Sequence, residues 1–288
     1  MGSEMCIRDR FYSMPLDQTD EQPTQDVEMG FLDHLEELRK RLFYAAFFVV
    51  TGGIGLFLAK DWLFDVVLFG PRHVDFITFR AWCQLSEWVG AGEALCVDSI
   101  NYELINTTML GNFTTHILVS AIAGFIAAFP LVFWQGWLFV RPALKESERQ
   151  SARGIGFSSS ILFFLGVGFG YYVIAPLSLQ FLGNYELGDV QSRISVMSYM
   201  KTVASITLAS GLVFQLPVVV YFLSRAGLLT PDILKTYRRH ALVAILILSA
   251  LITPPDVTSQ VLVSLPVLVL YELSILIAKR VYRERPDA

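Results

Sequence analysis

Six stretches of this chain are almost free of charge: residues 42–59, 113–140, 155–177, 203–223, 241–252 and 261–278. A run of about 18 or more apolar residues is long enough to cross the hydrocarbon of a bilayer as one helix, and far longer than the apolar stripe of a soluble helix. Five of the six pass that test. The exception, 241–252, holds 12 residues, about 18 Å of helix against a hydrocarbon core of about 30 Å. Either His240, Thr253 and their neighbours extend it, or it thins the bilayer, or it lies behind other helices. A soluble domain carries about 25% charged residues, whereas this chain has 17% and is 54% hydrophobic. The class is an all-α membrane protein with six transmembrane helices.

Charge is sorted along the chain. The segment before the first run, the loops 141–154 and 224–240, and the residues after 278 hold 17 of the 22 Lys and Arg. The intervening segments hold only Lys60, Arg72, Arg80, Arg193 and Lys201, with ten carboxylates such as Asp75, Glu87, Asp98 and Glu186. Basic loops stay in the cytoplasm, so both termini and the two basic loops are cytoplasmic. An even number of spans requires the same result. Residues 1–30 are polar and acidic with no apolar core, so they read as a disordered cytoplasmic tail and not as a cleavable signal peptide. Residues 281–288 form a second short tail after a membrane domain of 31–280.

The connections carry their own signals. In Phe31-Leu32-Asp33-His34-Leu35-Glu36-Glu37-Leu38-Arg39-Lys40-Arg41-Leu42 the leucines fall at helical spacing among charges, which predicts an interfacial amphipathic lead-in to the first span. Residues 61–69 predict a short external cap helix, broken at Gly70-Pro71. The external loop, about 61–112, is too long for a simple connector. It contains Cys83 and Cys96, two cysteines in an oxidising compartment, which favour a disulfide over two buried free thiols. Closing that small loop would contribute roughly 3 kcal/mol. Pro130 predicts a kink within the second span. Gly166, Gly168 and Gly170 predict a close helix approach. Thr253-Pro254-Pro255-Asp256 reads as a tight external turn.

In chain order these motifs resemble the TatC family, over about 31–280. His34-Leu35-Glu36-Glu37-Leu38-Arg39-Lys40-Arg41-Leu42 is similar to its N-terminal signature. Pro130-Leu131-Val132-Phe133-Trp134-Gln135 with Trp137, Pro142-Ala143-Leu144 and Glu148-Arg149 resembles the second span and first cytoplasmic loop. Phe169-Gly170-Tyr171-Tyr172 with Pro176, Phe214-Gln215-Leu216-Pro217, and Thr253-Pro254-Pro255-Asp256 with Ser259-Gln260 complete the series. The resemblance implies a cupped bundle with an external cap in the bacterial cytoplasmic (inner) membrane. It implies a core receptor subunit of the twin-arginine (Tat) translocase that reads signal peptides with two consecutive arginines. Folded cargo would be exported on the proton-motive force, with TatB and TatA as single-span partners and self-association in a larger complex. Two features depart from the family. The external loop is longer than in its shorter members. The intramembrane polar position of the fourth span, often glutamate in the family, is Gln215, which cannot ionise.

Reading two arginines calls for carboxylates, because the planar guanidinium fork matches a carboxylate bidentately. By motif position the pair is Glu37 and Glu148, with Arg39 and Arg41 ordering the same surface or holding it at the anionic leaflet. The competing structural readings pair Glu37 with Arg41 and Glu36 with Lys40 at i,i+4, and balance Glu148 against Arg149 or Lys145. Gln215 needs a partner inside hydrocarbon: a neighbouring helix, a single-span subunit or the signal peptide. Glu272 sits about two turns from the cytoplasmic end of the last span, within snorkelling reach of the interface. Pro71, Pro130, Asp256 and Gln260 read as structural supports.

Two other classes compete. A secondary transporter of small solutes would show internal repeats and ionisable groups at the midplane, and neither is present. An intramembrane enzyme would need a nucleophile or metal motif, whereas His116 is the only histidine within a span. The reading is therefore binding and assembly without catalysis. No cofactor, metal or nucleic-acid partner is expected.

Overall fold

A computed structural model describes residues 31–73, 75–89, 103–140, 154–184, 193–253 and 257–283. The expected N-terminal tail, the loop carrying Glu148, Cys96, Asp256 and the last five residues lie outside them.

Helix α1 (Phe31–Leu58) contains the lead-in and the first span in one piece. The chain then passes through a π-helical segment, Trp62–Leu68, and a 3-10 turn, Gly70–Arg72, before α2 (Ile77–Val89). Strand β1 (Glu103–Ile105) precedes α3 (Gly111–Val140), the second span, which continues through Pro130. The third span is composite: α4 (Ile155–Phe169), a π-helical turn (Gly170–Ile174) and α5 (Ala175–Asn184). Strand β2 (Arg193–Ser195) leads into α6 (Val196–Val213) and α7 (Leu216–Arg225), the two halves of the fourth span. A short α8 (Pro231–Thr236) joins them to α9 (Arg238–Ile252), and α10 (Val257–Arg283) is the last span. Among the described residues five helices, with α4–α5 and α6–α7 each counted as one, are long and apolar enough to cross a membrane. The sixth, α9, starts three residues before its apolar run and has 15 residues, or about 22 Å. Its Leu242, Val243, Ile247 and Leu251 are exposed, so this face is not hidden behind the other described helices.

Packing is tightest where side chains are smallest. Gly124 of α3 meets Gly52 and Gly53 of α1, and a Cβ added at Gly124 would stand 2.4 Å from the Gly53 amide nitrogen and 2.5 Å from its Cα. Without a hydrophobic drive between helices in lipid, such small-residue crossings allow close backbone packing. In the third span Gly166 faces Phe214 and Ser210, and Gly170 faces Ser210 and Thr207, with an added Cβ 2.7 to 3.0 Å from these neighbours. Gly168 faces open space, so the expected trio is a pair.

The fourth span is interrupted between Val213 and Leu216. Pro217 has no N–H to continue the helix, and the backbone turns at Gln215. Gln215 is 8% exposed. Its Oε1 accepts from the Ser159 hydroxyl at 2.7 Å, and its Nε2 donates to the Ser159 carbonyl at 3.0 Å. One serine of α4 thus satisfies both ends of the amide, and the break is stapled to the third span.

The external side is more structured than a loop. The expected cap helix is present, but with π-helical geometry. Tyr199 donates to the Leu68 carbonyl at 3.0 Å, and Tyr171 donates to that of Val67. Thr78 of α2 donates to the Tyr172 carbonyl in return. Pro71 is fully buried beneath this layer. Cys83 is disulfide-bonded, with its partner outside the described residues. Strands β1 and β2 pair in parallel, Leu104 opposite Ile194, tying together the external connections before the second and fourth spans.

Two outcomes follow for the purified protein in detergent. Gly124→Ala lowers the unfolding midpoint through backbone overpacking, at about 1–3 kcal/mol, whereas Gly168→Ala leaves it unchanged or slightly raised. Equal losses at the two positions would contradict the crossing. A double-mutant cycle of Ser159→Ala and Gln215→Leu gives a coupling of about 1–2 kcal/mol by thermal unfolding. A coupling near zero would mean that the clamp is not formed.

Candidate signal-peptide surface

The cytoplasmic end of α1 carries Glu36, Glu37, Arg39, Lys40 and Arg41. Glu37 is partly shielded, and its Oε1 accepts from Arg41 Nη2 at 3.0 Å, one helical turn away. The i,i+4 pair is therefore formed, but it is not isolated. Arg41 Nη1 also lies 3.4 Å from Gln135 Oε1 on α3. Arg41 bridges the start of the first span to the end of the second, and its guanidinium is held between a carboxylate and an amide. The side chains of Glu37 and Arg41 keep 24% and 27% of their surface exposed, so the carboxylate remains reachable from the cytoplasm. Among the described contacts Glu37 Oε2 has no partner.

Arg39 leans over the Phe43 ring at 5.7 Å, a cation–π contact on the outer face of α1. Arg39 and Arg41 thus do different jobs, one against lipid-facing Phe43 and one inside the α1–α3 seam. No residue of the apolar window of α1 is buried within the protein. The helix leans on α3 along one edge and leaves its remaining surface to lipid or to a partner.

The other sequence-selected residues fall elsewhere. Gln215 lies in the clamp with Ser159 described above. Glu272 of α10 pairs with Arg238 at the start of α9 at 2.7 Å, and its neighbour Tyr271 donates to the Leu234 carbonyl at 2.7 Å. Together these hold α8 and α9 against the last span. Gln260 donates to the Leu246 carbonyl at 3.2 Å, tying the external ends of α9 and α10. His116 stacks on Phe57 with ring centres 3.9 Å apart. Its Nε2 is 3.1 Å from the Phe57 carbonyl, which can only accept, so Nε2 carries the proton. Among the described residues no group of His, Cys, Asp and Glu could hold a metal ion.

Sequence reasoning missed the π-helical geometry, the parallel strand pair, the Ser159 partner of Gln215, and the Arg41–Gln135 contact. The last was in reach, since Gln135 ends the motif Pro130-Leu131-Val132-Phe133-Trp134-Gln135 and is a polar residue near the cytoplasmic end of a span.

Residues 33–266 match the family model described as Sec-independent protein translocase protein (TatC). The chain is 35% identical over 260 residues to the TatC of Blattabacterium sp. subsp. Periplaneta americana, covering 90% of this chain and 98% of that protein. It is 33% identical over 263 residues to TatCy of Bacillus subtilis, covering 89% and 91%. Among solved structures, a crystal structure of the twin-arginine translocase receptor TatC superposes with a TM-score of 0.64 at 30% identity, covering 86% of this chain and 99% of that one. A second crystal structure of that receptor, in the detergent DDM, gives 0.67. These are protein translocase components and not small-solute transporters. With the six-helix architecture and the inner-membrane topology, they show that this chain belongs to the TatC family of Sec-independent protein translocase proteins and is a multi-pass inner-membrane core subunit of the Tat translocase.

Proposed function

We propose that the cytoplasmic end of the α1–α3 pair receives a twin-arginine signal peptide, and that Glu37 grips one of its guanidinium groups. The observation that carries this reading is the state of Glu37: one carboxylate oxygen is taken by Arg41, and Arg41 has a second acceptor waiting at Gln135. An incoming arginine can bond the other oxygen or replace Arg41. In the second case Arg41 keeps a partner while it is displaced, so the exchange leaves no cation without an acceptor. Glu148, in the first cytoplasmic loop, supplies the second carboxylate. A lysine ammonium lacks the two parallel donors and gains less at both positions.

The role is binding and assembly. The docked peptide inserts along the bundle, and single-span TatB and TatA associate with exposed helix faces such as that of α1. Transport of the folded cargo draws on the proton-motive force. Gln215 acts here as a neutral, clamped residue that keeps the broken fourth span rigid while a peptide or partner helix packs nearby. Glu272 performs a comparable positioning role for α9 through Arg238.

The test is equilibrium binding of a fluorescent Arg-Arg signal peptide, with a Lys-Lys peptide as reference, to the full chain in nanodiscs. A charge-assisted hydrogen bond contributes roughly 1.5–3 kcal/mol. Glu37→Gln should therefore weaken the Arg-Arg peptide by about 10-fold to 100-fold and leave the Lys-Lys peptide nearly unchanged. Arg41→Gln removes the internal competitor and should leave Arg-Arg binding equal or tighter. Equal binding of both peptides to the unmodified chain would overturn the reading.

A further inference from the structure

We propose that the cytoplasmic half of the last span, with the third and fourth spans, forms a binding site for one anionic phospholipid of the inner leaflet. A cavity of about 560 Å³ opens there, walled by Leu162 of α4, Pro217 of α7, and Leu270 and Leu273 of α10. Toward the cytoplasm the same cavity is bordered by Lys279, Arg280 and Arg283.

Its length follows from the helix. Leu270 to Arg283 is 13 residues, about 20 Å at 1.5 Å per residue, against about 15 Å for half the hydrocarbon core. The groove thus runs from near the midplane to the headgroup level, the space that one acyl chain and its headgroup occupy. Its apolar wall has a structural origin. Pro217 opens the fourth span at the Gln215 break, and α7 packs against α10 below it. The Gln215 amide, two residues from Pro217, is bonded at both ends to Ser159, and it does not line the groove. What remains is hydrocarbon-like surface.

Charge selects the occupant. The three cations are exposed, and none forms an ion pair with any described carboxylate. The nearest acid on α10, Glu272, is engaged by Arg238 at 2.7 Å. Lone basic residues at a cytoplasmic helix end are ordinary topology signals, but here three border one apolar groove. A phosphate ester with an acyl chain matches both parts. A zwitterionic lipid matches the groove and gains less at its mouth, and a signal peptide whose charge is two arginines is repelled there. This site is therefore distinct from the α1–α3 surface, and the proposal does not rest on the signal-peptide reading.

The test is native mass spectrometry of the full chain in mild detergent, titrated with dioleoyl phosphatidylglycerol and, separately, with dioleoyl phosphatidylcholine. The unmodified chain should retain one phosphatidylglycerol in preference to phosphatidylcholine. K279Q/R280Q/R283Q should weaken phosphatidylglycerol by roughly 5-fold per cation removed, and so on the order of 100-fold in all, without changing phosphatidylcholine. L273W, which fills the groove and leaves the cations in place, should lower retention of both lipids. Circular dichroism and monodispersity establish that each variant is folded, and L273W stands as the second test if the triple variant is not. Equal retention of the two lipids by the unmodified chain would overturn the site. So would unchanged phosphatidylglycerol retention in both folded variants, or its displacement by an Arg-Arg peptide.

Discussion

Hydrocarbon offers no hydrogen bond to a stray amide or carbonyl, so any span that departs from a continuous helix must find partners inside the protein. Among the described residues, α-helical geometry is interrupted in three spans. The first span ends in the π-helical segment Trp62–Leu68, the third contains the π-helical turn Gly170–Ile174, and the fourth breaks at Gln215. At the first two a side chain from a neighbouring element serves the backbone, and at the third it fixes the side chain of Gln215. Tyr171 and Tyr199 serve the carbonyls of Val67 and Leu68, Thr78 serves that of Tyr172, and Ser159 clamps Gln215. The first two repairs are reciprocal, because the helix that supplies Tyr171 is itself served by the cap. Cap and third span thus hold each other.

These repairs make the two sides of the membrane unequal. Outside, the tyrosine bonds, buried Pro71, the disulfide at Cys83 and the paired strands form a closed layer. Toward the cytoplasm, the described contacts include exchangeable polar pairs: Arg41 between Glu37 and Gln135, and Arg238 with Glu272. The proposed reception of a peptide from the cytoplasm calls for this distribution. The rigid end holds the helix spacing, and the open end keeps groups whose partners can be exchanged at small cost. The Gly52–Gly124 crossing couples the two, since it sets how α1 leans on α3 and hence where Glu37 stands.

Much of this was legible in the residues. Apolar run length and the partition of Lys and Arg give six spans and their orientation, because both reflect transfer energies that hardly depend on tertiary context. The π-helical segments were not legible, since Trp62–Leu68 has the same amphipathic pattern as an α-helix. The strand pair was hidden by its length, three residues on each side, with partners 90 positions apart. Glu37 could be selected from its motif and Gln215 from its depth. Their partners could not, because Ser159 and Gln135 are ordinary polar residues until the fold brings them within reach. The glycine pattern was partly misleading: three in alternation suggested one face, but a helix turns about 100° per residue, so Gly168 points away from Gly166 and Gly170.

The proposed recognition requires two carboxylates from separate segments, Glu37 on α1 and Glu148 of the first cytoplasmic loop, to stand together at the cytoplasmic mouth. Pulsed electron–electron resonance between spin labels at positions 40 and 147, beside the two carboxylates and in a chain otherwise free of reactive cysteine, measures this directly in nanodiscs. Two adjacent arginines in an extended peptide span only a few ångströms of backbone plus their side chains, so the expected label separation is within roughly 20 Å. It should narrow further when an Arg-Arg peptide is added. A broad or long distance near the width of the bundle, unchanged by peptide, would contradict a shared grip on one signal.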